Sequence, residues 1–313
     1  MGFRALYMGT AEIACAPLKA LYDLPNCELV SVLTQPDRPR GRGMNLQPSA
    51  VKQCAEELGL SVLQPPTLRD DDVLEQLRSL RADVIVVMAF GQILPQSVLD
   101  LPKHGAVNIH ASILPRHRGA APIQRAILEG DHETGVTLMK MDAGLDTGDI
   151  IAVSRTPIHE TDNSQNLHDR LANLGASLLT ATLRHYLAGH ISPKPQDNDL
   201  STYARKITKD DGQIDWSLPA IEIHRRIRAL TPWPGAFTFL PVKQARLLKI
   251  LEAYISEPEG NPGKILSVSE NSLVVACGKN SLSLTKLQRE GSRSMDVDNF
   301  LNGCPLTPEM MLG

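Results

Sequence analysis

The chain has 313 residues, is 42% hydrophobic and 21% charged, and carries a formal net charge of −3. That length exceeds what one hydrophobic core normally fills, so two domains are expected, and the near-neutral charge does not mark the whole chain as a nucleic-acid binder. No apolar run is long enough to cross a membrane, the start MGFRALYMGT lacks a secretory layout, and Cys15, Cys27, Cys54, Cys277 and Cys304 contain no CxxC pair, which predicts a reduced, cytoplasmic protein without a zinc site.

In chain order, Phe3–Gly9, Glu28–Thr34, Asp83–Ala89 and Ala106–His110 read as buried strands, while Ala11–Leu24, Pro48–Leu58 and Asp70–Leu80 carry apolar residues at helical spacing. This alternation predicts an α/β fold, a Rossmann-like open and mostly parallel sheet with helices on both faces. In such sheets ligands bind beyond the carboxyl ends of the strands, here after Gly9, Ala89 and Ile109. A strand at Val136–Met141 and a long helix at Asn163–Leu187 complete this catalytic domain, assigned to residues 1–188.

The stretch Ala188–Leu200 is rich in Gly, Pro, Asn and Asp and has no period, so residues 189–206 are assigned as a linker. Residues 207–313 form the second domain. A helix is expected at Pro219–Leu230, then short strands at Ala236–Leu240, Leu247–Ala253, Ser272–Ala276 and Ser281–Leu287. Several short strands in such a span suggest a small β-barrel, with the OB type as one candidate. From Ser201 onward there are 14 Lys+Arg against 12 Asp+Glu, a balance that permits a polyanionic partner.

The most informative segment opens with Asn108-Ile109-His110 at a predicted strand end. Alternate strand residues face one side, so Asn108 and His110 should project into one cleft. An amide can donate to an oxyanion, and histidine handles protons near neutral pH. The segment closes in the Gly-bracketed loop AGLDTGD, where the carboxylate of Asp146 can orient and charge-stabilise His110. Taken singly, Asn-x-His is an ordinary polar strand end and an Asp in a Gly-rich loop is ordinary turn chemistry. No serine or cysteine lies in a nucleophile context, Gly9-Thr10-Ala11 is not a dinucleotide fingerprint, and His110, His117 and His132 lack metal-ligand spacing. A donor, a base and an acid without a covalent nucleophile fit direct transfer of an acyl group from a carrier to an amine.

At these residues the chain resembles a known family. NIHASILPRHRGAAPIQRAI followed by GVTLMKMDAGLDTGDII is similar to the signature region of the 10-formyltetrahydrofolate-dependent formyltransferases, and the resemblance runs along essentially the whole chain. It is closest to the members that formylate methionine on initiator methionyl-tRNA. The loop TQPDRPRGRG (Thr34–Gly43), the run RGAAPIQR (Arg118–Arg125) and IDW with PWPGA (Ile214–Trp216, Pro232–Ala236) match those members in order, and the length leaves room for their OB-like C-terminal domain. The resemblance implies catalysis by Asn108, His110 and Asp146. It implies folate contacts at Ile93, Leu94, Ser112, Ile113, Leu114 and Pro115, and tRNA contacts at Arg38, Arg40 and Arg42. It also implies 10-formyltetrahydrofolate as donor, no metal, no membrane association and a monomer. Two departures stand out: Gly9-Thr10-Ala11 and Ile13 replace the usual Gly-Thr-Pro and Phe, and Ile113 stands where the family has Leu. Relatives with a glycinamide nucleotide, an aminosugar nucleotide or water as acceptor share Asn-x-His and the Asp loop. The arginine loop and second domain separate them from this chain, and the intact set Asn108, His110 and Asp146 argues against an RNA-binding protein with an inactive enzyme domain.

Overall fold

The structure is a computed structural model that describes residues 2–40, 45–241 and 246–313. It divides into two units: Met1–Pro122, Glu133–Pro157 and His168–Ala204 form the first, and Ile123–His132, Ile158–Leu167 and Arg205–Gly313 the second.

The first stretch of chain runs β1 (Phe3–Gly9), α1 (Cys15–Tyr22), β2 (Cys27–Leu33), the antiparallel pair β3 (Arg38–Arg40) and β4 (Asn45–Gln47), then α2 (Ala50–Glu57) and β5 (Val62–Leu63). It continues with α3 (Asp71–Ser79), β6 (Val84–Met88), α4 (Gln96–Leu99), β7 (Ala106–His110) and β8 (Arg118–Gly119). After α5 (Pro122–Glu129) come β9 (Glu133–Lys140), β10 (Ile150–Pro157), α6 (Ser164–Leu187) and β11 (Tyr203–Ala204).

Seven strands make one sheet in the order β10-β9-β7-β6-β1-β2-β5. The five from β7 to β5 are mutually parallel, while at one edge β9 runs antiparallel to β7 and β10 antiparallel to β9. The fold class is therefore the mixed, mostly parallel α/β sheet expected. Its central strand β6 reads Val-Ile-Val-Val-Met with every residue buried, the continuous apolar run of a strand covered on both faces. Strand order reverses between β1 and β6, which opens a crevice past Gly9 and Met88. The first helix is shorter than the periodicity predicts: Glu12–Ala14 form a 3₁₀ turn and the α-helix starts at Cys15, with Pro17 in its first turn, where no backbone N–H is needed. The edge strand β10 has no clean alternation in its sequence and owes its form to pairing with β9.

The segment expected to be a linker carries structure of its own. Lys194 and Ile150 exchange two backbone hydrogen bonds of 2.8 Å, and β11 lies parallel to β8 with Tyr203 opposite Arg118.

The second unit holds α7 (Ala220–Leu230), β12 (Ala236–Phe239), β13 (Leu247–Ser256), β14 (Ile265–Val268), β15 (Leu273–Ala276), β16 (Ser281–Arg289), β17 (Met295–Asp296) and α8 (Val297–Gly303). Its strands follow the antiparallel order β12-β13-β16-β15-β14, with β17 on β16. In α7, Ile223, Ile227 and Leu230 are buried along one face, the i, i+4, i+7 stripe of an amphipathic helix. Ile223 and Ile227 share a core with Trp216, Leu248, Leu284 and Phe300. Trp216 buries its ring and donates its Nε1 hydrogen to Thr238 Oγ1 at 3.0 Å, so its one polar atom is satisfied. Among the described residues, no helix is long and apolar enough to cross a membrane.

Candidate active site

Strand β7 ends the parallel part of the sheet, between β6 and β9. Asn108 pairs with Val87 on one side and Met139 on the other, and His110 with Thr137. Register on both flanks fixes where these two side chains emerge. The loop from β9 to β10 leaves beside the start of β7, where Met141 N–H donates to Ala106 O, and turns back to bring Asp146 to these side chains. The three predicted residues are brought together: Asn108 Nδ2 lies 3.4 Å from Asp146 Oδ1, and His110 Nδ1 lies 3.6 Å from Asp146 Oδ2. Neither separation is a tight hydrogen bond, so the donor hydrogens of Asn108 and the Nδ1 face of His110 are only loosely engaged.

Asp146 itself is held firmly. Its Oδ2 accepts the backbone N–H of Gly119 at 2.8 Å. Gln196 Nε2 donates to its carbonyl at 2.8 Å and to that of Gly148 at 2.7 Å. The backbone at Asp146 is left-handed, with φ +53°, a region an aspartate tolerates better than most L-residues. Two glycines make the surrounding turns possible. A Cβ at Gly148 would come within 1.8 Å of Lys140 O, and Gly119 has φ +114° against the backbone of Ala204.

His110 is 6% exposed. Its Nε2 lies 2.9 Å from His117 O, and a carbonyl can only accept, so Nε2 carries the hydrogen. The intervening loop is braced from inside: Ser112 Oγ donates to Arg116 O at 2.6 Å, and Thr137 Oγ1 links Ser112 O and Leu114 N at 2.7 and 3.1 Å. Of the folate residues expected here, Ser112 and Leu114 are buried, and Ile113 and Pro115 keep half-exposed surface. Across the β1/β6 crevice, Ile93 is 84% exposed and Leu94 buried. The crevice wall is tied by Thr10 Oγ1 and Gln35 Nε2, which donate to Phe90 O at 2.7 and 3.0 Å. A separate open cleft of about 860 Å³ has Gly105, Lys140 and Tyr186 among its walls. It lies at the start of β7, the end opposite His110.

The arginine loop leaves from the same crevice. Asp37 pairs with Lys52 at 2.8 Å and accepts from Gln64 at 2.7 Å, contacts that hold its carboxyl below the ordinary value. Arg38, exposed, donates to Gln35 Oε1. Arg40 ends β3, and Arg42 lies outside the described residues.

Three residues that sequence reasoning passed over belong to this site: His117, Gln196 and Thr202. His117 was set aside only as a metal ligand. Gln196 and Thr202 sit in an aperiodic polar stretch, where no local signal marks one side chain as turned inward.

Comparison with known proteins gives the chain's family and fold. Residues 6–183 match the formyl transferase family and residues 206–305 the formyl transferase C-terminal domain. The methionyl-tRNA formyltransferase of Citrifermentans bemidjiense is 47% identical over 312 residues, covering 100% of this chain and 97% of the relative. The chain belongs to the methionyl-tRNA formyltransferase family. Another family member, from Pseudomonas fluorescens (strain Pf0-1), is 48% identical over 299 residues, 96% of this chain and 92% of its own length. Among solved structures, the N-formyltransferase of Helicobacter canadensis, in complex with folinic acid and dTDP-3-aminofucose, aligns over 92% of this chain and 100% of its own, with TM-score 0.65 and 19% identity. HypX of Aquifex aeolicus in complex with tetrahydrofolic acid aligns over 96% of this chain but 47% of its own, with TM-score 0.65 and 17% identity. At these identities the two structures show the fold alone.

Proposed function

We propose that the chain transfers the formyl group of 10-formyltetrahydrofolate to the free amino group of methionine on initiator methionyl-tRNA, with Asn108, His110 and Asp146 as its catalytic residues. The observation that carries this reading is the meeting of these three side chains at one end of β7. The methionine amine attacks the formyl carbon, a C–N bond forms, and the bond from that carbon to N10 of the folate breaks. One proton must travel from the amine to N10. With Nε2–H committed to the His117 carbonyl, the Nδ1 of His110 is the atom that takes and returns it. Asp146 faces the imidazolium that results and stabilises its charge. Asn108, loosely engaged at 3.4 Å, donates to the formyl oxygen as it becomes an oxyanion.

The folate lies in the β1/β6 crevice against Ile93 and Leu94, with Ile113, Pro115 and the backbone of the Ser112–Leu114 turn beside it. Arg38, Arg40 and Arg42 contact the tRNA, since guanidiniums make forked hydrogen bonds to phosphate. The catalytic domain takes residues 1–188, the connecting segment 189–206 is braced against it through Lys194 and Tyr203–Ala204, and residues 207–313 are the OB-like tRNA-binding domain. The enzyme acts as a cytoplasmic monomer in translation initiation. The deciding experiment incubates the purified protein with 10-formyltetrahydrofolate and either charged initiator tRNA, a glycinamide nucleotide or an aminosugar nucleotide. Formyl transfer to methionyl-tRNA alone is expected; preferential transfer to either small acceptor overturns the reading.

A further inference from the structure

Each ring nitrogen of His110 faces a residue with left-handed backbone. Nε2 meets the carbonyl of His117, at φ +58°, and Nδ1 faces the carboxylate of Asp146, at φ +53°. L-residues avoid this conformation, so it persists only where neighbours enforce it. Both residues are enforced by one segment. Gln196 Nε2 donates to the carbonyls of Asp146 and Gly148 at 2.8 and 2.7 Å, while its Oε1 accepts Nε and a terminal nitrogen of Arg118 at 3.1 and 2.8 Å. Two donors and two acceptor sites are all an amide offers, so Gln196 is saturated. Thr202 Oγ1 accepts the N–H of His117 at 2.8 Å, and Thr202 O accepts that of Arg118 at 2.9 Å. Tyr203 and Ala204 then pair with Arg118 and Gly119, and it is Gly119 that donates to Asp146 Oδ2.

We propose that Gln196 and Thr202 are positioning residues for the catalytic histidine: the 194–204 segment is a strap that holds the carbonyl partner of His110 on one side and its carboxylate partner on the other. This rests on the formyltransferase reading of the site given above. The strap touches no reacting atom, and its effect runs through Asp146 and His117.

The test uses the full-length protein with 10-formyltetrahydrofolate and charged initiator tRNA. Gln196→Glu keeps the size and the Arg118 contact but loses both donors, so it should lower kcat by about tenfold to a hundredfold, the penalty of a misplaced reacting group, with KM for both substrates nearly unchanged. Thr202→Val should behave alike, and Thr202→Ser, which keeps the acceptor, should restore most of the rate. In an Asp146→Asn background, Gln196→Glu should add little, because residues acting as a unit are non-additive. A second readout needs no reaction: ring ¹⁵N signals of His110 should report a single Nε2–H tautomer in the wild type and mixed tautomers in Gln196→Glu. Wild-type kcat in Gln196→Glu, full multiplicative loss on top of Asp146→Asn, or unchanged His110 signals each overturns the strap. An inactive wild type with the expected ¹⁵N change would overturn the formyltransferase reading and leave the strap standing.

Discussion

The Nε2 of His110 lies 2.9 Å from the carbonyl oxygen of His117, seven residues further along the chain. That contact commits one nitrogen as a donor and presents the other, Nδ1, to Asp146 Oδ2 at 3.6 Å. In the proposed mechanism, proton traffic therefore has one face, shared with Asn108.

His110→Ala and Asp146→Asn are each expected to lower kcat by at least about a hundredfold, and Asn108→Ala by a similar factor, the scale of general acid–base and oxyanion groups. His110→Gln should be as slow as His110→Ala yet melt higher, since its amide can still donate to the His117 carbonyl. Single-turnover rates and melting curves check both parts. Near-wild-type turnover in the His110 or Asp146 variants removes them from the chemistry.

Gly119→Ala tests the backbone that orients the carboxylate. At φ +114° the new Cβ would meet Ala204 O at 2.9 Å and the Tyr203 ring at 2.8 Å. The shift needed to relieve this moves the N–H away from Asp146. The variant should lose about 1–3 kcal/mol of stability and turn over more slowly than that loss explains at a temperature where it is fully folded. A folded variant with wild-type kcat contradicts this account.

Arg42→Ala should raise KM for charged initiator tRNA and leave the folate Kd unchanged, with Arg42→Lys rescuing only in part because an ammonium lacks the planar fork. Binding of tRNA should weaken as salt rises, and the slope against log salt should fall by about 0.7–0.9 for each phosphate contact removed. An identical slope and KM in Arg42→Ala would assign the loop no tRNA role.

Asp211 gives the second unit an acid-sensitive anchor. Hydrogen bonding to Arg205 comes first, with the backbone and hydroxyl of Thr208 adding, and together they hold its carboxyl down to about 2 from 3.8. Because the folded value lies below the unfolded one, this contribution is complete above about pH 4 and is lost as pH falls through 2. Asp211→Asn should cost about 1 kcal/mol near neutrality, the upper range for an exposed pair, and flatten the melting-temperature profile between pH 4 and 2. Parallel profiles for variant and wild type would deny the pair any role.

Much of the fold was legible in the chain because its signals are local. Phe3–Gly9 and Ala106–His110 are strands as read, since a parallel strand covered on both faces carries a mostly apolar, β-branched run, and the α7 stripe needs only one turn-to-turn repeat to be seen. The Gly-bracketed Asp146 loop was visible for the same reason: sharp turns demand particular residues. Strands β8, β10 and β11 were not, because two-residue pairings and edge strands draw their order from partners distant in sequence.

The sequence by itself determined the sheet, the Asn-x-His at a strand end, and the chemistry that three such side chains can perform. Only the tertiary structure decided which nitrogen of His110 is free, and that Gln196 and Thr202, in a stretch with every mark of a linker, hold the residues on either side of it. Composition and periodicity report whether a residue is buried or exposed along its own element. A hydrogen bond between Gln196 and Asp146, fifty residues apart, is set by where two separate loops end in space, and no local pattern encodes it.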